Sequence, residues 1–234
     1  MSQLTDQQIE SLYKFTRQHF VEYYDLQTEL VDHMANGIDQ QWNENTNLTF
    51  EQARDREFKK FGVFGFMDVL EQRQKAMSKK YAKIVWQHFK DYMRLPKILG
   101  FVLSILIAYT ILKYTSVSEE FFLGAIVTSA IIYISATFYR RKQIKKTRVA
   151  SDKKWMFEDI IFSQAATGGV ALIPLHFYNI FGRLSGISEM NSVWILILSM
   201  IICSFYLFLY IMTVEIPQMA DEYLEQTYPE YRMV

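Results

Sequence analysis

Cysteine is nearly absent: the chain has one in 234 residues, Cys203, and it sits inside an apolar stretch. No disulfide and no cysteine-based metal site can therefore form within one chain. Net charge is absent as well. Twenty-five Lys and Arg balance twenty-five Asp and Glu, and a chain without a net basic face is not built to bind nucleic acid. The first ten residues are polar and lack the apolar core of a secretory signal, so the amino-terminal part is expected to stay in the cytoplasm.

Catalytic motifs are missing too. There is no Gly-x-Ser-x-Gly, no His-Glu-x-x-His and no phosphate loop, and Thr167-Gly168-Gly169, inside an apolar stretch, is not a nucleotide cradle. Glu158 and Asp159 are adjacent, so on a helix they point about 100° apart and do not converge as a catalytic pair. His19, His33, His88 and His176 fall in separate segments without metal-ligand spacing. Glu29 and His33, four apart, read as a structural contact on one helical face. The expectation is a non-enzymatic protein with no metal and no cofactor.

Long apolar runs and a helical amino-terminal third are what the chain does have. Residues 98–114, 121–139, 160–181 and 193–213 carry almost no charge. The shortest run spans about 26 Å as a helix, slightly under the ~30 Å bilayer core, and Lys113 and Tyr114 can anchor its outer end by snorkelling. Between the second and third runs, residues 140–154 hold eight basic side chains against Asp152. A loop this basic stays cytoplasmic. The reading is an all-α protein, a small helical cytoplasmic domain (1–94) on a four-span transmembrane bundle (95–213), with an acidic cytoplasmic tail (214–234). Both termini then face the cytoplasm.

Within the first third, Thr5 and Gln8 form a capping-box pattern, as do Thr49 and Gln52. Ile9, Leu12, Tyr13, Thr16 and Phe20 follow helical spacing in the first helix. Tyr23, Leu26, Leu30, Met34, Ile38 and Trp42 form the stripe of a second, over about 22–44, although Gly37 within it costs roughly 1 kcal/mol against Ala. Phe50, Ala53, Phe58 and Phe61 face inward on a third helix that Gly62 stops. A fourth, from about Phe66, carries Val69, Leu70, Met77, Tyr81, Ile84, Val85, Phe89 and Tyr92 towards the membrane.

Charge divides within this region. Residues 1–57 hold four basic and eleven acidic side chains, residues 58–97 ten basic and three acidic. Lys79, Lys80, Lys83, Lys90, Arg94 and Lys97 are candidate lipid-headgroup contacts, with Arg140, Arg141, Lys142, Lys145 and Lys146 of the basic loop, each worth about 1 kcal/mol at an anionic surface. A solvated helix face paired with the acidic part is the competing reading. The third apolar run holds Gln164, Thr167 and His176, polar groups that face a bundle interior or a wet cavity. They read as a packing seam, with a small conduction path as the alternative. Ala165 with Gly169, and Gly124 with Thr128, have the small-residue spacing that lets helices approach closely.

Glu29-Leu30-Val31-Asp32-His33, Leu48-Thr49-Phe50-Glu51-Gln52-Ala53-Arg54 and Phe58-Lys59-Lys60-Phe61-Gly62 together resemble the HAAS-type amino-terminal domain of some bacterial membrane proteins, and the similar prefix domain of some macrolide-exporter-like permeases. The resemblance covers about residues 10–77. It implies a signalling or interaction module on a membrane anchor, and no catalytic residue. The turn before Thr49 is longer and richer in Asn than that pattern, and Phe64-Gly65-Phe66 replaces a polar helix start. No large extracellular domain follows, so permease activity does not carry over. The function expected is a regulatory or accessory role, in which the helical domain binds a protein partner. The candidate contacts are Asp25, Glu29, Asp32, Phe64 and Phe66, with core packing as the competing reading for the two aromatics. The alternative is a small transporter or channel subunit working through the third run. A homo-oligomer is permitted but not required.

Overall fold

A computed structural model describes residues 4–44, 47–151, 153–162 and 187–233, with side chains at 140–151 and 232–233 outside the description. All regular structure among the described residues is helical. Helix α1 (Asp6–Gln18) and α3 (Phe50–Lys59) each open on the expected reciprocal cap, Thr5 with Gln8 and Thr49 with Gln52. Each cap satisfies amide donors that a helix end leaves bare. Helix α2 (Tyr24–Glu44) buries Leu26, Leu30, Met34 and Ile38, its expected stripe. With Leu12, Phe15, Val21, Ala53 and Phe66 they make a first core.

Two glycines shape the turn into α4 (Phe66–Tyr92). Gly62 and Gly65 both have positive φ, 81° and 55°, the region where a Cβ is penalised. At Gly65 a Cβ would also come within 2.7 Å of the Phe58 ring. Gly37, a weakness in α2 by propensity, has a packing reason. A side chain there would collide with the carboxylate of Glu57, which is buried and accepts from Gln41 Nε2 (2.9 Å) and Lys60 Nζ (2.6 Å).

Helix α4 serves two cores. Its first turns close the first core through Phe66, while Tyr81, Ile84 and Val85 belong to a second. That second core is completed from far along the chain, by α7 (Met156–Phe162) and by the carboxy-terminal residues. The basic stretch is not a loop for most of its length. Helix α6 (Ser118–Ser151) runs without a break from the apolar residues through the basic ones.

Among the described residues three helices are long and apolar enough to cross a membrane: α5 (Lys97–Tyr114), the Ser118–Tyr139 part of α6, and α8 (Ser192–Tyr210), which continues to Gln218. Their mean hydropathies are 1.6, 2.0 and 2.5, and most of each is unburied within the chain. Leu99, Leu103, Leu106, Leu123, Ile131 and Ile134 are exposed, a continuous apolar exterior that suits lipid and not water. Lys113, expected to snorkel, donates instead to the carbonyls of Ser188 and Met190 (3.1 Å each), tying α5 to the turn before α8. The expected third run lies outside the described residues beyond Phe162. Its first residues do not begin a free span, because Ile161 is fully buried in the second core.

Past Tyr210 the eighth helix widens into a π-turn, Ile211–Glu215, followed by the short turn Ile216–Gln218. Pro217 accounts for the change: it offers no amide for the carbonyl four residues back, and its ring crowds that carbonyl. Beyond it, α9 (Ala220–Thr227) and a 3₁₀ turn (Pro229–Met233) end the chain. Ile216, Ala220, Leu224 and Tyr228, each four apart, are all buried. The expected acidic tail therefore has one apolar face, and that face is docked.

Met34 is completely buried at the centre of the first core. Met34→Ala should cost about 2–5 kcal/mol through lost burial and a residual cavity, read as a lowered melting temperature by circular dichroism. An unchanged melt would mean that this core does not carry the stability of the first four helices.

Candidate functional site

The chain's most distant parts meet around one carboxylate. Asp25, at the start of α2, is only 6% exposed. Its Oδ1 accepts the backbone N–H of Met156 (3.1 Å) and its Oδ2 accepts the hydroxyl of Tyr228 (2.9 Å). The same hydroxyl accepts the N–H of Phe157 (3.1 Å). Burial pushes the Asp25 carboxyl above its ordinary 3.8, partly offset by the two donors that favour its charged form. Tyr228 is likewise pushed up, by burial and then by Asp25, so it keeps the proton it donates.

The segment between the basic helix and α7 is clamped along its length. The N–H of Tyr24 donates to the carbonyl of Lys154 (2.7 Å), and Lys154 Nζ pairs with Glu22 (2.8 Å) while lying over the Tyr23 ring. Lys153 lies over the Tyr24 ring, 4.2 Å from its centroid. Trp155 is buried among the rings of Tyr24, Tyr228 and Tyr231. Tyr23 donates to Asp159 (3.0 Å), and burial with that carboxylate raises its pKa to about 12. Glu158 is also buried.

A second polar junction lies where α4 meets the end of α8. His88 Nδ1 faces Glu215 at 3.0 Å and its Nε2 faces the Tyr223 hydroxyl at 2.6 Å. The two ring nitrogens thus join a carboxylate to a phenol, the direction of each bond following the tautomer. Burial, then nearby carboxylates, raise the Tyr223 pKa. Tyr92, one turn along from His88, is pushed up to about 12 by burial and by Glu215. The order carboxylate, imidazole, hydroxyl is that of acid–base machinery, but here each group comes from a different element, and together they interlock α4, the π-turn and α9. Lys80 adds a bond from α4 to Thr227 (2.7 Å). Among the described residues no group of three His, Cys, Asp or Glu side chains converges as a metal site.

The expected partner contacts separate. Phe66 is 1% exposed and packs against Phe15, Phe58 and Phe61, so it is core and not a contact. Asp25 is an internal acceptor, removed from the acidic face by its burial. Glu29 and Asp32 are exposed. Glu29 faces Arg73 (3.5 Å), and His33 faces Glu57 (3.8 Å), so the expected pairing of Glu29 with His33 is replaced by contacts to neighbouring helices. Phe64 is 70% exposed and its neighbour Val63 is 97% exposed.

Sequence spacing carried the first helix on to Phe20, and the structure ends it earlier. Helix α1 ends at Gln18, and Phe20 has φ 65° and 76% exposure. Its N–H donates to Arg17 O (3.1 Å) and the next N–H, of Val21, to Thr16 O (3.1 Å). This is a Schellman closure with Phe at the left-handed position that usually takes Gly.

Of the expected headgroup contacts, Lys79, Lys83, Lys90, Arg94 and Lys97 are exposed, and Lys80 is turned towards Thr227. Arg94 pairs with Asp91 (3.0 Å). Arg140, Arg141, Lys142, Lys145 and Lys146 lie on α6, with their side chains outside the description. Gln164, Thr167 and His176 fall outside the described residues.

Tyr228→Phe leaves Asp25 Oδ2 and the Phe157 amide without their partner. It should cost about 1–3 kcal/mol and make the chain after Gln218 more sensitive to limited proteolysis; an unchanged digestion pattern would remove the junction's role. The charge on Asp25 has a defined sign. Its pKa rises on folding, so its contribution is fully present below 3.8 and is lost as pH rises through the raised value. Acidification from pH 7 towards about 4.5 should therefore stabilise wild type relative to Asp25→Asn. A flat or opposite difference between their melting curves would contradict the burial assigned to this carboxyl.

No protein-family model matches the chain, and no curated protein or solved structure matches it either.

Proposed function

We propose that this chain is a four-span protein of the bacterial inner membrane, with both termini cytoplasmic, whose helical amino-terminal domain binds a protein partner in regulation or complex assembly. Contact parity supports the topology. Asp25 bonds both Met156 and Tyr228, so all three share one side of any bilayer and an even number of crossings separates each from the next. Helices α5 and α6 supply one pair. Helix α8 supplies one crossing, and the expected crossing within 160–181 completes the second pair. The basic continuation of α6 supports the cytoplasmic assignment of that shared side.

The observation that carries the partner-binding reading is Phe20. A left-handed non-glycine residue costs about 1–2 kcal/mol, and here the cost is met by a bulky aromatic side chain that gains almost no burial. Strain of this kind points to use. Phe20 follows His19, whose ring lies 5.9 Å from that of Phe66. Val63 and Phe64 lead into the same Phe66 from the other side. Three exposed apolar side chains therefore adjoin, along the chain, members of one aromatic cluster, an anchor of the kind protein interfaces favour. The resemblance to HAAS-type domains supports the same reading.

Phe20→Gly separates binding from stability. It relieves the strained φ and removes little buried surface, so the melting temperature should hold or rise. Affinity purification of tagged protein from mild detergent, followed by mass spectrometry, should then lose a stoichiometric partner that wild type retains. Phe64→Ser should do the same. A partner that stays with both variants, or a marked loss of stability in Phe20→Gly, would overturn the assignment.

A further inference from the structure

Helices α5, α6 and α8 do not close on one another along their whole length. Between them lies a cavity of about 950 Å³, walled by Gly100, Ser104 and Ala108 of α5, Gly124 and Thr128 of α6, and Cys203 of α8. Small residues at this spacing normally bring helices into contact. Here they do the reverse. A Cβ at Gly100 or at Gly124 would meet nothing within 4 Å, so both glycines border open space. Tyr206 keeps α6 and α8 in place above the cavity, donating to the Ala125 carbonyl (2.7 Å) and meeting the Thr128 hydroxyl.

The ends of the cavity differ. Its long wall on α5 extends from Lys97 to Ile111, about 21 Å of helix, which is more than half of a ~30 Å hydrocarbon core. This wall is apolar. At the α4 end stand Lys97, Tyr92 and Tyr210. The Lys97 amine lies 4.5 Å from the centroid of the Tyr92 ring, and the Tyr92 and Tyr210 rings meet edge to face at 6.5 Å. Among the described residues no carboxylate lies within ion-pair distance of Lys97, and the first turn of α5 contains no acid. Aromatic rings with a cation at the end of a span mark headgroup depth.

We propose that this cavity is the binding site of one anionic phospholipid, with an acyl chain along the small-residue walls and its phosphate at Lys97. The volume falls within the ~300–1,000 Å³ range of small-molecule sites. Lys97 is the cation lining the mouth, while the Glu215 carboxylate stands behind Tyr92 and faces His88, so Lys97 is the group that chooses the headgroup. A second copy of this chain is the competing occupant, but its own α5 would bring another lysine and no acid to that depth. The proposal goes beyond partner binding and rests only on α5, α6 and α8 being embedded in lipid.

The test uses the full chain, purified in mild detergent, stripped of lipid and titrated with phosphatidylglycerol or phosphatidylcholine under native mass spectrometry. Wild type should retain a single phosphatidylglycerol in preference to phosphatidylcholine. Gly124→Leu and Gly100→Leu fill the cavity from opposite walls, and Leu is the better helix former, so helicity should persist. Each should lower retention by about tenfold or more. Lys97→Gln should reduce the preference for the anionic lipid by about fivefold while leaving phosphatidylcholine unchanged. Equal retention of the two lipids by wild type would overturn the proposal. So would undiminished phosphatidylglycerol in a folded Gly100→Leu or Gly124→Leu, and so would a dimer that either variant dissociates.

Discussion

The structure depends on a buried carboxylate that three separate parts of the chain must share. Asp25 lies in α2, Met156 and Phe157 follow the basic helix, and Tyr228 is six residues from the end. A charged or polar group out of water is tolerated only with its hydrogen bonds made, so removing any one strand of this junction exposes the others to that cost. Around it the aromatic box of Trp155, Tyr24 and Tyr228 excludes water and strengthens the bonds it encloses. The polar junction gives the meeting its geometry, and the apolar side chains supply most of its driving force.

Helix α4 transmits this arrangement towards the spans. It shares one face with the first core, another with α7 and the tail, and presents His88 to Glu215 at the end of α8. Pro217 enters the same account. By breaking the regular ladder it produces the π-turn that carries Glu215, and π-turns of this kind recur at functional positions. A helix long and apolar enough to cross lipid is thus joined through a proline-induced irregularity to a histidine in the helical module.

Local features of this fold were legible before the structure. The caps at Thr5 and Thr49, the stripe from Leu26 to Ile38 and the charge-poor runs are patterns within one element, where spacing alone states which side chains share a face. Phe20 was misread for the same reason. Its spacing fits the stripe of α1, but the helix closes two residues earlier, and no period reports where a left-handed cap will fall. Asp25 and Glu29, one turn apart on one helix, looked equivalent, yet one is buried and one exposed. What distinguishes them is Tyr228, 203 positions away, and no local pattern contains that. His88 was dismissed for lack of a neighbour with ligand spacing; its partners are 127 and 135 positions distant. The tail read only as acidic because its charges are frequent, while the four-residue spacing of Ile216, Ala220, Leu224 and Tyr228 was the available signal of a docked face.

The docking of Tyr228 against Asp25 also sets an order of events during synthesis. The helices of residues 6–92 emerge from the ribosome before their partners and can form most of their first core, which Met156 completes, but their second core has no closing face until residues 211–228 are made. An open core exposes Tyr81, Ile84 and Val85 together with Trp155, an apolar surface that quality-control proteases recognise. The second core is thus complete only when the segment around Tyr228 has docked against α4 and α7.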